Sequence, residues 1–371
     1  MSLPSSPPNR SERQWLNPRK LWMAVALVVL GSVGVILWSA IRGASWKELS
    51  QVTWNASWLW VAAACVVFRD AGYVLRLWVL SGRDLSLKRS TSSILLWELA
   101  SALTPSVVGG SAVASFILNR NGLSWGKSLA VVMTTALLDE LYFLVAVPVV
   151  AIAVGWSTFL PETTDWLEGS VAVIFGGGYA FMAVLASVLS TALFWAPASM
   201  KNWLVTASHW RLLNRWREPL TQFADDLYRA SREVRSLTTR AWMAVAGATT
   251  LSWSARFLTL NAILMAFLVP LLENNQSISQ FAVWARQLSM WTVMMVSPTP
   301  GSSGVAELAL PTFLDDVMPL AMSATLWGLL VLLWRYLTYH LYLLVGGMLL
   351  PVWLAQTSSK GDKTSRNFRV S

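Results

Sequence analysis

The amino-acid sequence predicts an all-α polytopic integral membrane protein, and three observations support that prediction. Only 13% of the 371 residues are charged, well below the roughly 25% that is usual in soluble domains. Several apolar stretches of roughly 20 residues or more lack any charge, and this length crosses a hydrocarbon core of about 30 Å. Many of the 23 Trp residues lie at the ends of those runs, where an amphipathic ring suits the headgroup layer.

Six of the apolar runs are long enough for a full span. The first follows a polar, basic segment and is not followed by an evident small-residue cleavage site, so we expect a retained span and not a signal peptide. The last exceeds the bilayer thickness, which predicts a helix that tilts, kinks or extends beyond the membrane. The predicted spans are Leu21–Ile41, Trp58–Leu80, Ser128–Gly155, Val171–Pro197, Ala241–Leu272 and Met318–Leu354.

Two further apolar segments are interrupted by Pro and Gly. Ser92–Leu118 is broken at Thr104-Pro105 and Gly109-Gly110, and Phe281–Leu314 is broken between Ser297 and Gly304. Proline removes a backbone donor and clashes with the preceding turn, and such breaks are tolerated at membrane depth only beside protein or a water-filled cavity. Both segments are therefore predicted to be broken or re-entrant helix pairs.

The distribution of basic residues predicts the topology. Lys and Arg concentrate in residues 1–20, 81–91, 119–127 and 198–240 and in the C-terminal tail, which favours cytoplasmic N- and C-termini in a bacterial cytoplasmic membrane. The two broken segments then enter from opposite sides and share the pattern Thr-Pro-x-x-x-Gly, as an inverted repeat would. The predicted organisation is a basic tail at 1–20, one transmembrane domain at 21–354 with a cytoplasmic amphipathic segment at 198–240, and a basic tail at 355–371.

Composition argues against several classes of protein. The net charge of +9 resides mainly in loops and tails, so we expect contact with anionic membrane lipids and not with nucleic acid. One Cys and two widely separated His residues predict neither disulfides nor a metal site. The sequence contains no catalytic triad, P-loop or dinucleotide fingerprint, and no cofactor is expected.

The second break provides the sharpest candidate binding site. A half-helix beginning near Gly304 would point free amide groups and a positive dipole end into the membrane, where they could hold a phosphate. Glu307 lies in its first turn, where it could neutralise a cationic headgroup, carry a coupling proton, or cap the helix amides. The predicted site residues at this break are Pro300, Gly301, Ser303, Gly304 and Glu307.

The first break and the charges within spans complete the prediction. Pro105, Gly109, Gly110 and Ser111 form the opposing half-site, although small residues also suit close helix packing. A polar pathway for a headgroup is predicted along charged residues inside spans, with buried structural ion pairs as the alternative. The predicted pathway residues are Arg76, Asp139, Glu140 and Arg335, with further mid-span charges at Arg69, Asp70 and Arg256.

These motifs resemble the lysylphosphatidylglycerol synthase transmembrane region, a family of flippase-like membrane proteins. The resemblance rests on Ser297–Glu307, on Leu333–Tyr339 leading to Gly346-Gly347, and on Thr104–Gly110 followed by Leu137–Glu140. It covers roughly Leu21 to Leu354 and implies lipid handling, because the best-known members flip an aminoacylated phospholipid. Their aminoacyl-transfer domain is missing here, and their Pro-Gly-Arg-x-Gly-Glu break reads differently, so the resemblance does not imply the same headgroup.

Three functions are consistent with the sequence. The first is translocation of a phospholipid or another lipid-linked amphiphile, without enzymatic activity. The second is a membrane-embedded transferase acting on a lipid-linked substrate, which would need Asp139, Glu140 and Glu307 at one depth. The third is a non-transporting membrane scaffold. The expected partners are a lipid substrate, anionic membrane lipids, and either a second copy of the chain or a lipid-modifying enzyme.

Overall fold

A computed structural model of the chain describes residues 52–104, 106–161, 165–211, 213–273, 276–295, 297 and 299–367, together with residues 30, 34 and 50. Of the described residues, 85% are helical and none belongs to a strand. Apart from the short helix Trp156–Phe159, the α-helices are α1 (Ala56–Leu80), α2 (Leu87–Leu103), α3 (Ser106–Arg120), α4 (Trp125–Val154), α5 (Asp165–Ser190), α6 (Pro197–Ser208), α7 (Arg217–Arg235), α8 (Thr239–Leu268), α9 (Gln280–Met294), α10 (Val305–Leu314), α11 (Ala324–Arg335) and α12 (Leu341–Asn367). A π-helical turn extends α5, and a second one, Tyr336–His340, joins α11 to α12.

Polar residues set the first turn of many of these helices. Asn55 is the N-cap of α1, Ser124 that of α4 and Ser323 that of α11. In each case the side-chain oxygen accepts a backbone N–H of the first turn. Ser86, Thr238 and Ser279 do the same for α2, α8 and α9. Such caps satisfy amides that have no partner inside the helix.

Five helical segments are long and apolar enough to cross a membrane. They correspond to five of the six predicted full spans, while the predicted span Leu21–Ile41 lies outside the described residues apart from two of its positions. The final span begins at Ala324 and not at Met318, because Pro319 precedes the cap at Ser323. The five segments are Ala56–Leu80, Trp125–Val154, Val171–Trp195, Thr239–Leu271 and Ala324–Thr357.

Helices α1 and α8 pack with their backbones close together. A Cβ on Gly72 would overlap Ser252 Oγ and would lie 2.8 Å from the carbonyl oxygen of Ala248, and Ser252 Oγ donates to the carbonyl of Arg69 at 3.0 Å. Small residues permit this close approach of the two backbones. The contact brings the charged face of α1 against the middle of α8.

Both predicted segments contain a helix interruption, but the further break predicted at Gly109-Gly110 is wrong, because these residues lie within α3. A helix tolerates glycine at a cost of about 1 kcal/mol per residue. Helix α2 ends at Leu103 with Thr104 as its C-cap, and α3 starts at Ser106.

Residues 295–304 separate helices α9 and α10, and they include the 3₁₀ turn Pro300–Ser302. In that turn Gly301 has φ +55° and Ser302 has φ +52°, and Gly304 follows with φ +86°. Glycine adopts such values without the steric cost that a Cβ imposes.

Helix α7 lies outside the five candidate spans and is amphipathic. It buries Leu227, Ala230 and Val234 and packs along α4, while Arg229 is largely exposed. Lys201 on α6 pairs with Asp225 at 2.6 Å, and this hydrogen bond, together with the charge of Lys201, lowers the pKa of Asp225. The predicted segment 198–240 therefore contains an amphipathic helix tied to a neighbouring helix.

Candidate functional site

A cavity of about 320 Å³ lies among the spans. Asp139 and Glu140 lie halfway along α4, and Arg256 lies just beyond the middle of α8. Aromatic and Met side chains make up nearly half of the uncharged wall residues, and they include Trp253, Trp291 and others on α9 and α11. The charged side chains that line the cavity are Arg76, Glu98, Asp139, Glu140, Arg256 and Arg335.

Arg76 and Asp139 form a hydrogen-bonded ion pair across one wall. The Arg76 Nη1–Asp139 Oδ1 distance is 2.5 Å and the Nη2–Oδ2 distance is 3.3 Å. Trp253 Nε1 donates to Asp139 at 2.8 Å, and Arg76 donates to Thr249 Oγ1 at 3.2 Å. A two-pronged guanidinium–carboxylate contact is strong and orients both groups. These contacts join α1, α4 and α8 beside the cavity.

Glu98 lies between two arginines on the adjacent wall. Its carboxylate is 2.7 Å from Arg69 Nη2 and 3.8 Å from Arg256 Nη2. Arg69 is almost fully buried and pairs also with Asp70 at 3.6 Å. The hydroxyl of Tyr342 donates to both oxygens of Asp70 at 2.9 Å. Glu98 is the acidic residue of α2, and its two ion pairs hold helices α1, α2 and α8 together.

Arg256 keeps unused hydrogen-bonding capacity. Its Nη2 donates to Tyr73 Oη at 3.3 Å, and its guanidinium carbon lies 5.1 Å and 5.0 Å from the ring centroids of Trp253 and Trp291. Its Nε is buried and has no hydrogen-bond partner within the described part of the chain. Stacking on aromatic rings holds a guanidinium in place without consuming its N–H groups.

Glu307 both caps α10 and pairs with an arginine. Its Oε2 accepts the backbone N–H of Gly304 at 2.6 Å, and its Oε1 accepts from Arg335 Nε at 2.8 Å. Arg335 Nη2 also donates to the carbonyl of Gly301 at 3.1 Å and to Ser303 Oγ at 3.2 Å. The buried carboxylate of Glu307 accepts the backbone N–H of the N-cap of α10, and Arg335 neutralises the charge of that carboxylate.

Tyr339 connects the two breaks. A Cβ on Gly301 would overlap Cε2 of the Tyr339 ring, so only glycine fits at that position. The Tyr339 hydroxyl donates to the carbonyl of Ala102, near the end of α2, at 3.2 Å. Arg335 lies over the same ring at 4.1 Å from its centroid. One aromatic side chain therefore holds both helix interruptions beside the cavity.

Glu140 differs from the other acidic residues at the cavity. It is 3% exposed, and within the described residues it has neither a hydrogen bond nor an ion pair. Burial of a charged carboxylate without a partner is energetically costly. Among the described residues, no group of three or more His, Cys, Asp and Glu side chains is placed to hold a metal ion.

Comparison with known proteins identifies the family. Residues 21–346 match the family described as lysylphosphatidylglycerol synthase TM region. The chain belongs to this family. A UPF0104 membrane protein of Archaeoglobus fulgidus is 25% identical over 334 residues, which is 85% of this chain and 94% of the relative. No solved structure matches the chain. The resemblance inferred from the helix-break motifs is confirmed, and the chain is a multi-pass membrane protein.

In this family member the cavity brings together many of the predicted site residues. Those at the wall are Arg76, Ser111, Asp139, Glu140, Gly301 and Arg335. Ser303, Gly304 and Glu307 lie behind Arg335 and contact it or each other. Pro300 begins the 3₁₀ turn. The capping role that the sequence left open for Glu307 is present, so the Gly304 amide already has an internal acceptor.

At the first break, Gly110 serves close helix packing, which was the alternative to a role in binding. A Cβ on Gly110 would lie 2.5 Å from Ser101 Oγ and 3.1 Å from Ser101 Cα, so Gly110 permits close contact between α3 and α2. Pro105 lies outside the described residues, and Gly109 is described only as part of helix α3. Ser111 is the predicted residue of this break that reaches the cavity.

Sequence reasoning missed Glu98 and the full set of contacts made by Arg256. A carboxylate within the apolar part of α2 is itself a signal, because intramembrane acidic residues are rare and usually paired. The partner could not be read from the sequence, since Arg69 and Arg256 belong to two other helices. The alternative of structural ion pairs describes Arg76–Asp139 and Arg335–Glu307.

Proposed function

We propose that the chain translocates a phosphate-bearing amphiphile, either a phospholipid or another lipid-linked molecule, across the cytoplasmic membrane. One observation carries the proposal: a cavity with six charged side chains lies among five membrane-length apolar helices, beside two helix interruptions. Charged groups at membrane depth are costly and are typical of substrate pathways. Membership of a family named for a lipid synthase supports a lipid as the substrate.

Arg256 is the group that we propose to bind the phosphate. The guanidinium groups of Arg76 and Arg335 are already paired at 2.5 Å and 2.8 Å, whereas Arg256 lies 3.8 Å from its nearest carboxylate. A planar guanidinium fork matches two phosphate oxygens, and the aromatic rings beside it keep it oriented. The buried Nε supplies one of the N–H groups for this contact.

The cavity suits a headgroup and not a complete lipid. Its volume of about 320 Å³ is at the lower end of small-molecule sites, which range from about 300 to 1,000 Å³. The acyl or prenyl chains would stay in the surrounding bilayer while the headgroup moves through the protein. In this proposal the two interrupted helix pairs re-enter from opposite sides as an inverted repeat, and alternate exposure of the cavity follows from their relative movement.

Transport fits the observed ion pairs better than group transfer. A transferase would need the carboxylates of Asp139, Glu140 and Glu307 to act on one substrate. Asp139 is held by Arg76, and Glu307 is held by Arg335 behind the cavity wall. The ion pairs of Asp139 and Glu307 support roles in structure and in binding. Among the three carboxylates, only that of Glu140 is without an ion pair in the described part of the chain.

The test is translocation in vesicles that contain the purified chain. Phosphatidylglycerol with a fluorescent acyl chain is placed in both leaflets, and dithionite then quenches the probe that reaches the outer leaflet. We expect wild type to expose the inner-leaflet probe and Arg256→Gln to do so at least tenfold more slowly. Arg229→Gln, which removes an exposed charge from α7, is the matched control. Equal rates in Arg256→Gln and in wild type would refute this site.

A further inference from the structure

The surroundings of Glu140 contain nothing, among the described residues, that would stabilise an ionised carboxylate. It lines the cavity, is 3% exposed and lacks any hydrogen bond or ion pair within the described chain. Its neighbour Asp139 carries a charge of the same sign beside it. An ionised carboxylate in such a place is destabilised by the loss of water and therefore readily binds a proton or a cation.

The charged groups around the cavity do not balance. We define the cavity cluster as the charged side chains that line the cavity or that connect to a lining residue through ion pairs. In the described part of the chain it contains four guanidinium groups and five carboxylates, so it is neutral only when one carboxylate holds a proton. The members are Arg69, Arg76, Arg256 and Arg335 with Asp70, Glu98, Asp139, Glu140 and Glu307.

Four of the five carboxylates have cationic partners. Asp70, Glu98, Asp139 and Glu307 each lie within an ion pair, at distances from 2.5 to 3.6 Å from the nearest guanidinium nitrogen. An adjacent guanidinium favours the ionised form of a carboxylate. Glu140 has no such neighbour among the described residues, so its ionised form is the least stabilised of the five and it is the carboxylate most ready to take up a proton.

The described helices around α4 provide no other counter-charge to Glu140. Helix α5 offers Tyr179, whose hydroxyl donates to the carbonyl of Leu144, and α9 offers Arg286, which binds Asp316. His340, which packs edge-on against Tyr339, adjoins the Arg335 end of the cluster. Further charged groups lie toward the N-terminal end of α4. Lys127 pairs there with Asp84, Arg120 lies at the end of α3, and Asp226 and Arg229 lie on α7.

We propose that Glu140 is a proton-binding site whose protonation accompanies entry of an anionic headgroup, so that one phosphate group and one proton are taken up together. The inference rests on the proposed function, in which a phosphate binds beside Arg256. An anion entering a cluster that already has an excess carboxylate meets like charge at low dielectric, whereas a proton on Glu140 removes that repulsion. By linkage, the bound anion strengthens proton binding to the same extent.

The exchange balances without any additional reactant. The carboxylate of Glu140 takes a proton from water when the headgroup enters and returns it to water when the headgroup leaves. The complex of a singly charged headgroup and a proton carries no net charge through the low-dielectric interior. A difference in pH across the membrane would then bias the direction of headgroup movement.

Calorimetry of the full-length chain in detergent tests this inference. Dioctanoyl phosphatidylglycerol is titrated into the protein in two non-phosphate buffers of different ionisation enthalpy, which counts the protons bound per lipid. We expect wild type to take up close to one proton per lipid in the pH range where free Glu140 is ionised, with affinity falling up to tenfold per pH unit there. Glu140→Gln, which mimics the protonated form, should bind tightly at every pH with no proton uptake.

The controls separate this inference from the proposed function. Glu218→Gln, at an exposed position of α7, should behave as wild type, and thermal unfolding of Glu140→Gln should occur at or above the wild-type temperature. Lipid binding that is weakened by Arg256→Gln but takes up no proton would leave the proposed function standing and overturn the proton site. Proton uptake that persists in Glu140→Gln would assign it to another group, such as His340, and would also overturn it. Absence of lipid binding to wild type would overturn both proposals.

Discussion

Replacement of Gly301 by Ala tests whether the second helix break is held by contact with Tyr339. The new Cβ would overlap Cε2 and would lie 2.9 Å from Cζ of the ring, and the backbone φ of +55° is unfavourable for any residue with a Cβ. The conformational cost is about 1–2 kcal/mol, and forcing an extra carbon into a packed site costs about 1–3 kcal/mol. We therefore expect Gly301→Ala to lower the free energy of unfolding by about 2–5 kcal/mol.

Gly304→Ala separates the two contributions. Gly304 also has a positive φ, of +86°, but a Cβ there would meet no described atom within 4 Å, so that variant should lose only the conformational part. Both variants are unfolded by urea in mild detergent, alone and in a Tyr339→Ala background. Removal of the ring should reduce the cost of Gly301→Ala by about 1 kcal/mol or more and leave that of Gly304→Ala unchanged. Equal losses for the two glycine variants in the wild-type background would refute the contact.

Two further predictions concern ion pairs in contrasting environments. Arg335→Gln leaves the carboxylate of Glu307 buried without its counter-ion and should lower the free energy of unfolding in urea by about 3–5 kcal/mol. The double variant with Glu307→Gln should recover part of that loss. A double variant that is no more stable than Arg335→Gln would contradict the pairing. On the surface, Lys201 lowers the pKa of Asp225, so the stability from this pair is present above the unfolded-state pKa of about 4 and is lost as pH falls through the folded-state pKa. The difference in thermal unfolding midpoint between wild type and Asp225→Asn should therefore be present at about pH 7 and vanish at about pH 3. A difference that does not change with pH would argue against the ion pair.

Five of the spans, the break after α2 and the break between α9 and α10 were predictable because their signals are local. A run of apolar residues has no other stable place than a membrane or a core, and the proline and glycine of Thr299-Pro300-Gly301 do not continue an α-helix. The cap formed by Glu307 on Gly304 also follows from a spacing of three residues. In each case the partners are neighbours in sequence.

The partners of the buried charges could not be predicted because they depend on which helices are neighbours. Arg335 reaches Glu307 from another helix, and the Tyr339 hydroxyl reaches the carbonyl of Ala102 from the far end of the sequence. Glu98 was missed for the same reason: its partners lie on α1 and α8. Such pairing is decided by tertiary packing, and a hydropathy pattern does not show which helices are neighbours.

The small residues of the first break illustrate a second limit. Gly110 is equally compatible with a backbone site for a phosphate and with close helix packing, and its contact with Ser101 favours packing. Composition alone cannot separate these two uses, because both require the absence of a side chain.

Native mass spectrometry of the detergent-purified chain tests most directly whether the cavity holds a phosphate-bearing lipid. We predict that wild type retains a defined lipid class, that Arg256→Gln loses it, and that Arg229→Gln keeps it. A featureless mixture of bulk lipids that is the same in all three proteins would refute the proposed phosphate site and would favour a scaffold without a transport site.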